Sequence, residues 1–395
     1  MTYSTSSPSR AHRTRSPSTR PRCTTRAPNA SSSIHRSDSP RNRASTCSAT
    51  GCCPSCAARD TDRRHWPVPD HEIGIGLAGS LLPQTYRDIA RRAEDAGFDA
   101  ITVFGDLMFS PPALVLHTMA EVTRSIRLGV AAYTPWTQHP VEIAGQIAYL
   151  DLMSSGRAFY GVVRGAWMDK LALDQSDALA AVEDTVAIVS ALLAGNGSGH
   201  VGKVYSMSPN TRLHFEPHRP RVPLLIGSWS PRLARIAGRL ADELQAGGCA
   251  NPAMVKVLAD MAGTTGGRPG ICLNAIAVVD EDRKAARAAA RTAVAPYFDV
   301  VARFDPTVTV DPELQERVHR YCAAGDFTQA GRLIPDDLLG LFAFSGTPAD
   351  VAEHAASILD AGAQRVEFDT PFGLTPESGI ALLCDEVIGR IRAHL

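Results

Sequence analysis

The chain has 395 residues, 44% of them hydrophobic, and a formal net charge of −1. That is enough sequence for two average domains or one large α/β barrel with additions, and enough apolar residues for an extensive core. The charge is uneven: residues 1–66 carry twelve Arg and three Asp, leaving 28 basic and 38 acidic residues beyond, an acidic body that argues against nucleic acid as its partner.

Residues 1–70 are rich in Ser, Thr, Arg and Pro and almost free of large apolar side chains, so a disordered segment is expected. An Arg- and Ser-rich organelle leader, or sequence upstream of the true start, are the other readings open here. Five of the nine Cys (Cys23, Cys47, Cys52, Cys53, Cys56) fall in this stretch, and Cys249, Cys272, Cys322 and Cys384 are scattered. No disulfide framework follows, and a reducing cytoplasm is the expected setting. Cys53 and Cys56 have C-x-x-C spacing but lack the second pair of a zinc site. No apolar run approaches the ~20 residues of a membrane span.

The body is predicted to begin with a strand at Glu72–Leu77, in which Gly74 and Gly76 leave room for a ligand or another backbone. Thr85–Ala96 reads as a helix with Tyr86, Ile89, Ala93 and Ala96 on one face and Gly97 closing it. Ala100–Phe104 is strand two, ending at Gly105-Asp106, and Pro111–Val122 is helix two. Leu128–Tyr133 is strand three, stopped by Thr134-Pro135. His139-Pro140 opens a helix with Ile143, Ile147, Leu150 and Met153 as its buried stripe; Ser154-Ser155-Gly156 ends it before strand four, Ala158–Val163.

Asp177–Leu193 is predicted as a helix, followed by a Gly-rich loop to Pro220 with a small hairpin near 204–207. Strands are expected at Val222–Ile226, Leu244–Gly248, Ile271–Val279 and Arg365–Phe368. Helices are expected from Arg232, at Glu281–Tyr297, at Thr347–Ala361 and at Pro376–His394, with a mainly helical insertion over 299–345. The alternation of β and α favours a (β/α)8 TIM barrel with inserted loops and helices, residues 71–395, over a doubly wound sheet.

The run Leu150-Asp151-Leu152-Met153-Ser154-Ser155-Gly156-Arg157, with a Pro-ended loop and helix before it and a Gly-containing strand after it, resembles the luciferase-like superfamily of flavin and deazaflavin oxidoreductases. The likeness extends from about Glu72 to the C-terminus through AEDAGFDAITVFGD (93–106), VPLLIGSWSPRLARIAGRLAD (222–242), VVDEDRKAARAAAR (278–291) and SGTPADVAEHAASILDAGAQRVEF (345–368). The insertion lengths, AGDFTQAGRLIPDDLLGLFAFSGTP (324–348) and DTPFGLTPESGIALLCDEVI (369–388) are most similar to the coenzyme F420 branch, methylenetetrahydromethanopterin reductases above all.

This resemblance implies hydride transfer between F420 and a small organic substrate. A homo-oligomer, such as a homodimer, with no membrane or nucleic-acid partner, is expected. The sequence also departs from the reductases. Gly76 stands where they carry a Glu credited with catalysis, Asp106-Leu107 replaces an Asp-His pair, and Val163-Arg164-Gly165-Ala166 replaces a Gly-Pro-Gly-Asp-like loop. An FMN-dependent monooxygenase and a non-catalytic cofactor-binding barrel are the alternatives open at this point.

Asp106 follows a strand end on the functional rim; a turn or helix-capping aspartate is the plainer reading. The resemblance makes Asp106 a deazaflavin contact; with Gly76 lacking a side chain, Asp106 or a water would have to serve as the catalytic proton donor. It also implies a strand-three bulge with a cis Ala131–Ala132 bond behind the ring, with Tyr133 and Thr134 next on the rim. Gly227, Ser228, Trp229 and Ser230 precede a helix, where free N–H groups and the dipole suit an anion. Spacing alone allows an ordinary N-cap there, and the resemblance implies the cofactor phosphate. Arg164 and Gly165 end strand four, where Arg164 suits a phosphate or an oligoglutamate tail. Trp136 and Trp167 are candidate walls for a planar substrate. His139 is expected to cap a helix, and His200, His214 and His218 show no metal spacing.

Overall fold

The computed structural model describes residues 71–165, 168–264 and 268–395. The expectations for residues 1–70, the Cys53–Cys56 pair among them, and for Ala166 and Trp167 lie outside the described residues.

Eight parallel strands close into a barrel: β1 (Glu72–Leu77), β2 (Ala100–Val103), β3 (Arg127–Tyr133), β4 (Ala158–Val162), β5 (Leu224–Gly227), β6 (Glu243–Gly247), β7 (Gly270–Val279) and β8 (Arg365–Gly373). Each pairs with the next, and β8 returns to β1. The expected TIM barrel is the observed fold.

Helices α1 (Pro83–Ala96), α2 (Pro112–Ala120), α3 (Pro140–Met153), α4 (Ala178–Ala194), α5 (Pro231–Leu240), α6 (Ala253–Ala262) and α7 (Arg283–Val301) follow strands β1 to β7 in turn. Local signals set their ends. Gly97 closes α1 at φ 91°, where a side chain would be strained, and His139 caps α3 by accepting from the Val141 N–H at 3.3 Å. The Gly-rich loop holds a hairpin of His200–Val201 and Ser206–Met207. The second insertion contains α8 (Pro312–Ala323), α9 (Phe327–Arg332) and α10 (Asp336–Phe342) and ends in a strand, Ala343–Gly346, which pairs with β7. The insertion is mainly helical, as expected, and only its last residues form a strand. α11 (Pro348–Asp360) leads to β8, and α12 (Pro376–Leu382) and α13 (Ile388–His394) close the chain.

The inside of the barrel is polar at its base. Register pairs Glu72 with Arg365, Gly74 with Glu367 and Gly76 with Asp369. Arg365 donates to Glu243 at 3.1 and 3.2 Å and to Glu367 at 2.6 Å; Arg127 donates to Glu72 at 2.5 and 2.7 Å. Both guanidinium groups lie over the Phe159 ring, 4.6 and 5.1 Å from its centre. Charges this deep need such partners, since an unpaired one would lose its hydration uncompensated. Gly74 and Gly76 were expected to admit a ligand or backbone. They instead make room for acidic side chains from β8. A Cβ on Gly74 would lie 3.0 Å from Glu367 Oε2, and one on Gly76 would collide with Asp369 Oδ1.

Candidate active site

A cavity of about 1060 Å³ occupies the mouth formed by the C-terminal strand ends. This is where loops of such a barrel are free to carry chemistry, because the strands and helices beneath hold them rigidly. Ten of the eleven predicted site residues line it: Asp106 after β2; Ala131, Ala132 and Thr134 at β3; Arg164 and Gly165 after β4; and Gly227, Ser228, Trp229 and Ser230 between β5 and α5. Tyr133 does not. Strand alternation turns it away into the layer between β3 and α3, where it is buried and its hydroxyl donates to Gln146 Oε1 at 3.2 Å.

The Ala131–Ala132 bond is cis, and the β3–β4 register shifts between Val130 and Tyr133. Small residues bring backbones together here: a Cβ on Gly161 would sit 2.9 Å from the Ala132 methyl. Behind this wall, Thr134 is buried and donates to the Arg164 carbonyl at 3.2 Å. Gly165 adopts φ 95°, and a Cβ on it would lie 2.7 Å from the Thr134 hydroxyl oxygen. Trp136 is not a cavity wall, as had been expected of it. Its indole N–H donates to the same Arg164 carbonyl at 2.8 Å and fixes the loop from outside.

The other end of the cavity is the start of α5. Ser228 N–H donates to the Gln245 carbonyl at 2.8 Å, and Ser230 N–H to Ser228 Oγ at 2.8 Å. No side chain caps the helix, so its first free N–H groups and the positive end of its dipole are left at the cavity wall. Arg164 and Arg232 line the cavity with no acidic partner among the described residues, whereas Lys203, also on the wall, pairs with Asp177 at 2.5 Å.

Acidic groups lie on the opposite wall. Asp106 caps no helix and has no hydrogen-bond partner among the described residues; burial pushes its carboxyl above the usual carboxylate range. Tyr297, from α7, is pushed up to about 12 by burial and then by Asp106 and Asp369. Asp369 and Asn274 also line the cavity, and the sequence reading missed both. A signal existed: Arg365, Glu367 and Asp369 alternate along β8 and all face inward. Among the described residues no three His, Cys, Asp or Glu side chains could hold a metal, and His200 bonds Asp184 at 2.9 Å.

The eight-residue run that carried the resemblance lies outside this cavity and is structural. Arg157 is buried and donates to the carbonyls of Ser154 (2.7 Å), Ile126 (2.7 Å), Thr123 (3.0 Å) and Ala120 (3.4 Å). Asp151 accepts from Arg219 at 2.9 and 3.0 Å and from the Ala158 N–H at 3.2 Å.

The mouth of the barrel thus joins an apolar backbone wall at Ala131 and Ala132 to the uncapped start of α5 in one cavity. The luciferase-like monooxygenase family profile matches residues 70–365, and the chain belongs to that family. It is similar to the 5,10-methylenetetrahydromethanopterin reductase of Archaeoglobus fulgidus, with 26% identity over 81% of this chain and 100% of that one. The F420-dependent glucose-6-phosphate dehydrogenase of Nakamurella multipartita is 29% identical over 40% of this chain and 51% of its own. Among solved structures, the coenzyme F420 dependent tetrahydromethanopterin reductase of Methanopyrus kandleri shares the fold with a TM-score of 0.73 and 24% identity, over 81% of this chain and 99% of that one. An F420-dependent secondary alcohol dehydrogenase in complex with an F420-acetone adduct follows at 0.66 and 18%, over 82% and 99%.

Proposed function

We propose that this protein is a coenzyme F420-dependent oxidoreductase that transfers a hydride between the deazaflavin and a small organic substrate, in the manner of a methylenetetrahydromethanopterin reductase. One observation carries the reading: the Ala131–Ala132 wall and the uncapped start of α5 open onto a single cavity. The similarity to a 5,10-methylenetetrahydromethanopterin reductase over 81% of this chain, and to an F420-dependent glucose-6-phosphate dehydrogenase over 40% of it, supports it. F420 supplies the hydride chemistry when bound.

The chain's own residues do the holding. Ala131 and Ala132 would hold the ring with backbone and methyl groups, and Asp106 would contact it from the cavity wall. The N–H groups of α5, with Ser228, Ser230 and Arg232, hold the phosphate, and Arg164 takes a more distal anionic group. Gly165, Gly227 and Trp229 shape the walls between. Tyr297 and Val301 of α7, with Phe304 just after it, line the substrate space and keep water from it. The reading puts the protein in the cytoplasm, in keeping with Cys249, Cys272, Cys322 and Cys384, which form no disulfide among the described residues, and makes it a homodimer. No helix among the described residues is long and apolar enough to cross a membrane.

The test is a titration of the protein with F420 and, separately, FMN, read by quenching of cofactor fluorescence. Reduced F420 is then offered methylenetetrahydromethanopterin and acetone, and oxidised F420 glucose 6-phosphate. Binding of F420 with turnover of one of these is the expected result. Binding of FMN alone would establish a flavin monooxygenase instead, and F420 binding without any turnover would favour a non-catalytic barrel.

A further inference from the structure

The interior of the barrel holds a carboxyl group that the reading above does not use. Asp369 is 7% exposed and lines the cavity from β8. Its Oδ2 accepts from Asn274 Nδ2 at 2.7 Å, while its Oδ1 has no hydrogen-bond partner among the described residues. Asn274 Oδ1, beside it, is likewise unpartnered. Two buried polar atoms left without partners at a cavity wall are costly unless a ligand completes them. The space Oδ1 occupies is that of a missing side chain. A Cβ on Gly76 would collide with it, and the Phe104 ring stands 2.7 Å from the same point. β1 and β8 are paired at this rung, Gly76 opposite Asp369, so the carboxyl enters from one strand because its neighbour has vacated the position.

We propose that Asp369, held by Asn274 and admitted by Gly76, is the proton donor of this site. The proposal rests on the hydride-transfer reading. In the reductive direction the Asp369 O–H bond breaks and its proton joins the heteroatom of the substrate's C=N or C=O bond. The hydrogen and electron pair that form the new C–H bond come from reduced F420. The proton released as F420 is oxidised returns the carboxylate to its acid form, so two electrons and two hydrogens reach the substrate and the protein is unchanged.

The surroundings disfavour the ionised form of Asp369. Burial and then the charge of Glu367 push the Asp369 carboxyl well above the usual range, and Asp106 adds to this; the Asn274 bond and Arg365 oppose it. Tyr297, from α7, feels the same two aspartates, and β1 presents only Gly76. Asp106 is the rival donor, but no side chain orients it.

The test compares the full-length wild type with Asp369→Asn, Asp106→Asn and the exchange variant Gly76→Glu/Asp369→Gly. Infrared spectroscopy at neutral pH should show the carbonyl stretch of a protonated carboxylic acid, absent from Asp369→Asn and shifted when F420 is added. Asp369→Asn should bind F420 as the wild type does, lose turnover on the order of 100-fold, and lose the alkaline limb of the kcat profile. Asp106→Asn should keep that limb, and the exchange variant should recover part of the lost rate. Persistence of the acid signal or of the alkaline limb in Asp369→Asn would overturn the proposal. Failure of the cofactor reading is separate, because it shows in the wild type as absence of F420 binding.

Discussion

No side chain fits between Gly105 and Ala132: a Cβ built on Gly105 would overlap the Ala132 carbonyl oxygen. The wall assigned to the ring therefore depends on a residue after β2 having nothing there. Gly105→Ala should displace the β3 backbone, cost about 1–3 kcal/mol of stability by overpacking, and abolish F420 binding. Gly145→Ala is the matched control. That glycine lies inside α3 with open space at its Cβ position, and the change should stabilise by about 0.4–1 kcal/mol through a less flexible unfolded chain. Urea unfolding and F420 titration of both variants check this; normal F420 binding by Gly105→Ala would remove the wall from the site.

The start of α5 is assigned to the phosphate, not the ring. Arg232→Gln should weaken F420 binding about 10-fold or more, since a hydrogen bond to a charged group contributes about 1.5–3 kcal/mol. It should leave binding of the tail-less deazaflavin riboside unchanged. Equal losses for both ligands would place the phosphate elsewhere.

Asp369 makes stability depend on pH in a definite direction. Its folded carboxyl is raised above the unfolded one, so the favourable contribution of the protonated form is complete below the ordinary carboxylate range. That contribution is lost as pH rises through the folded value. Asp369→Asn, which stays neutral, should match the wild type at low pH and become progressively more stable than it as pH rises. Glu367, Arg365, Asp106 and Tyr297, the charged and titratable groups that interact with it, are unaltered in the comparison. Urea midpoints across pH measure the gap; a gap that narrows with rising pH contradicts the assignment.

The buried guanidinium of Arg157 ties the end of α3 to the segment before β3. Arg157→Leu should destabilise by about 3 kcal/mol or more, because at least two carbonyls lose their donor inside the protein. The surviving folded fraction should bind F420 normally, as the residue does not line the cavity. Thermal unfolding together with titration separates the two effects.

Local chemistry in the sequence was enough for the barrel. Pro140 after the capping His139, Gly97 beyond α1 and the apolar run of β3 are short-range signals, and their alternation around a parallel sheet leaves few architectures. The cavity residues between β2 and α5 were also legible, since strand ends in this fold converge on one mouth. The orientation of Tyr133 and Trp136 was not, because one step along a strand, or one loop hydrogen bond, reverses which space a side chain enters.

What only the tertiary structure decided is the fate of Gly76. In the chain it reads as a missing catalytic side chain, and Asp369 as a residue nearly three hundred positions away. Barrel closure lays β1 against β8 and sets the two at the same rung, so that the space released by one strand is filled by the carboxyl of the other. Closure is a property of all eight strands together, and no local pattern in the sequence specifies which inward-facing residues will share a layer.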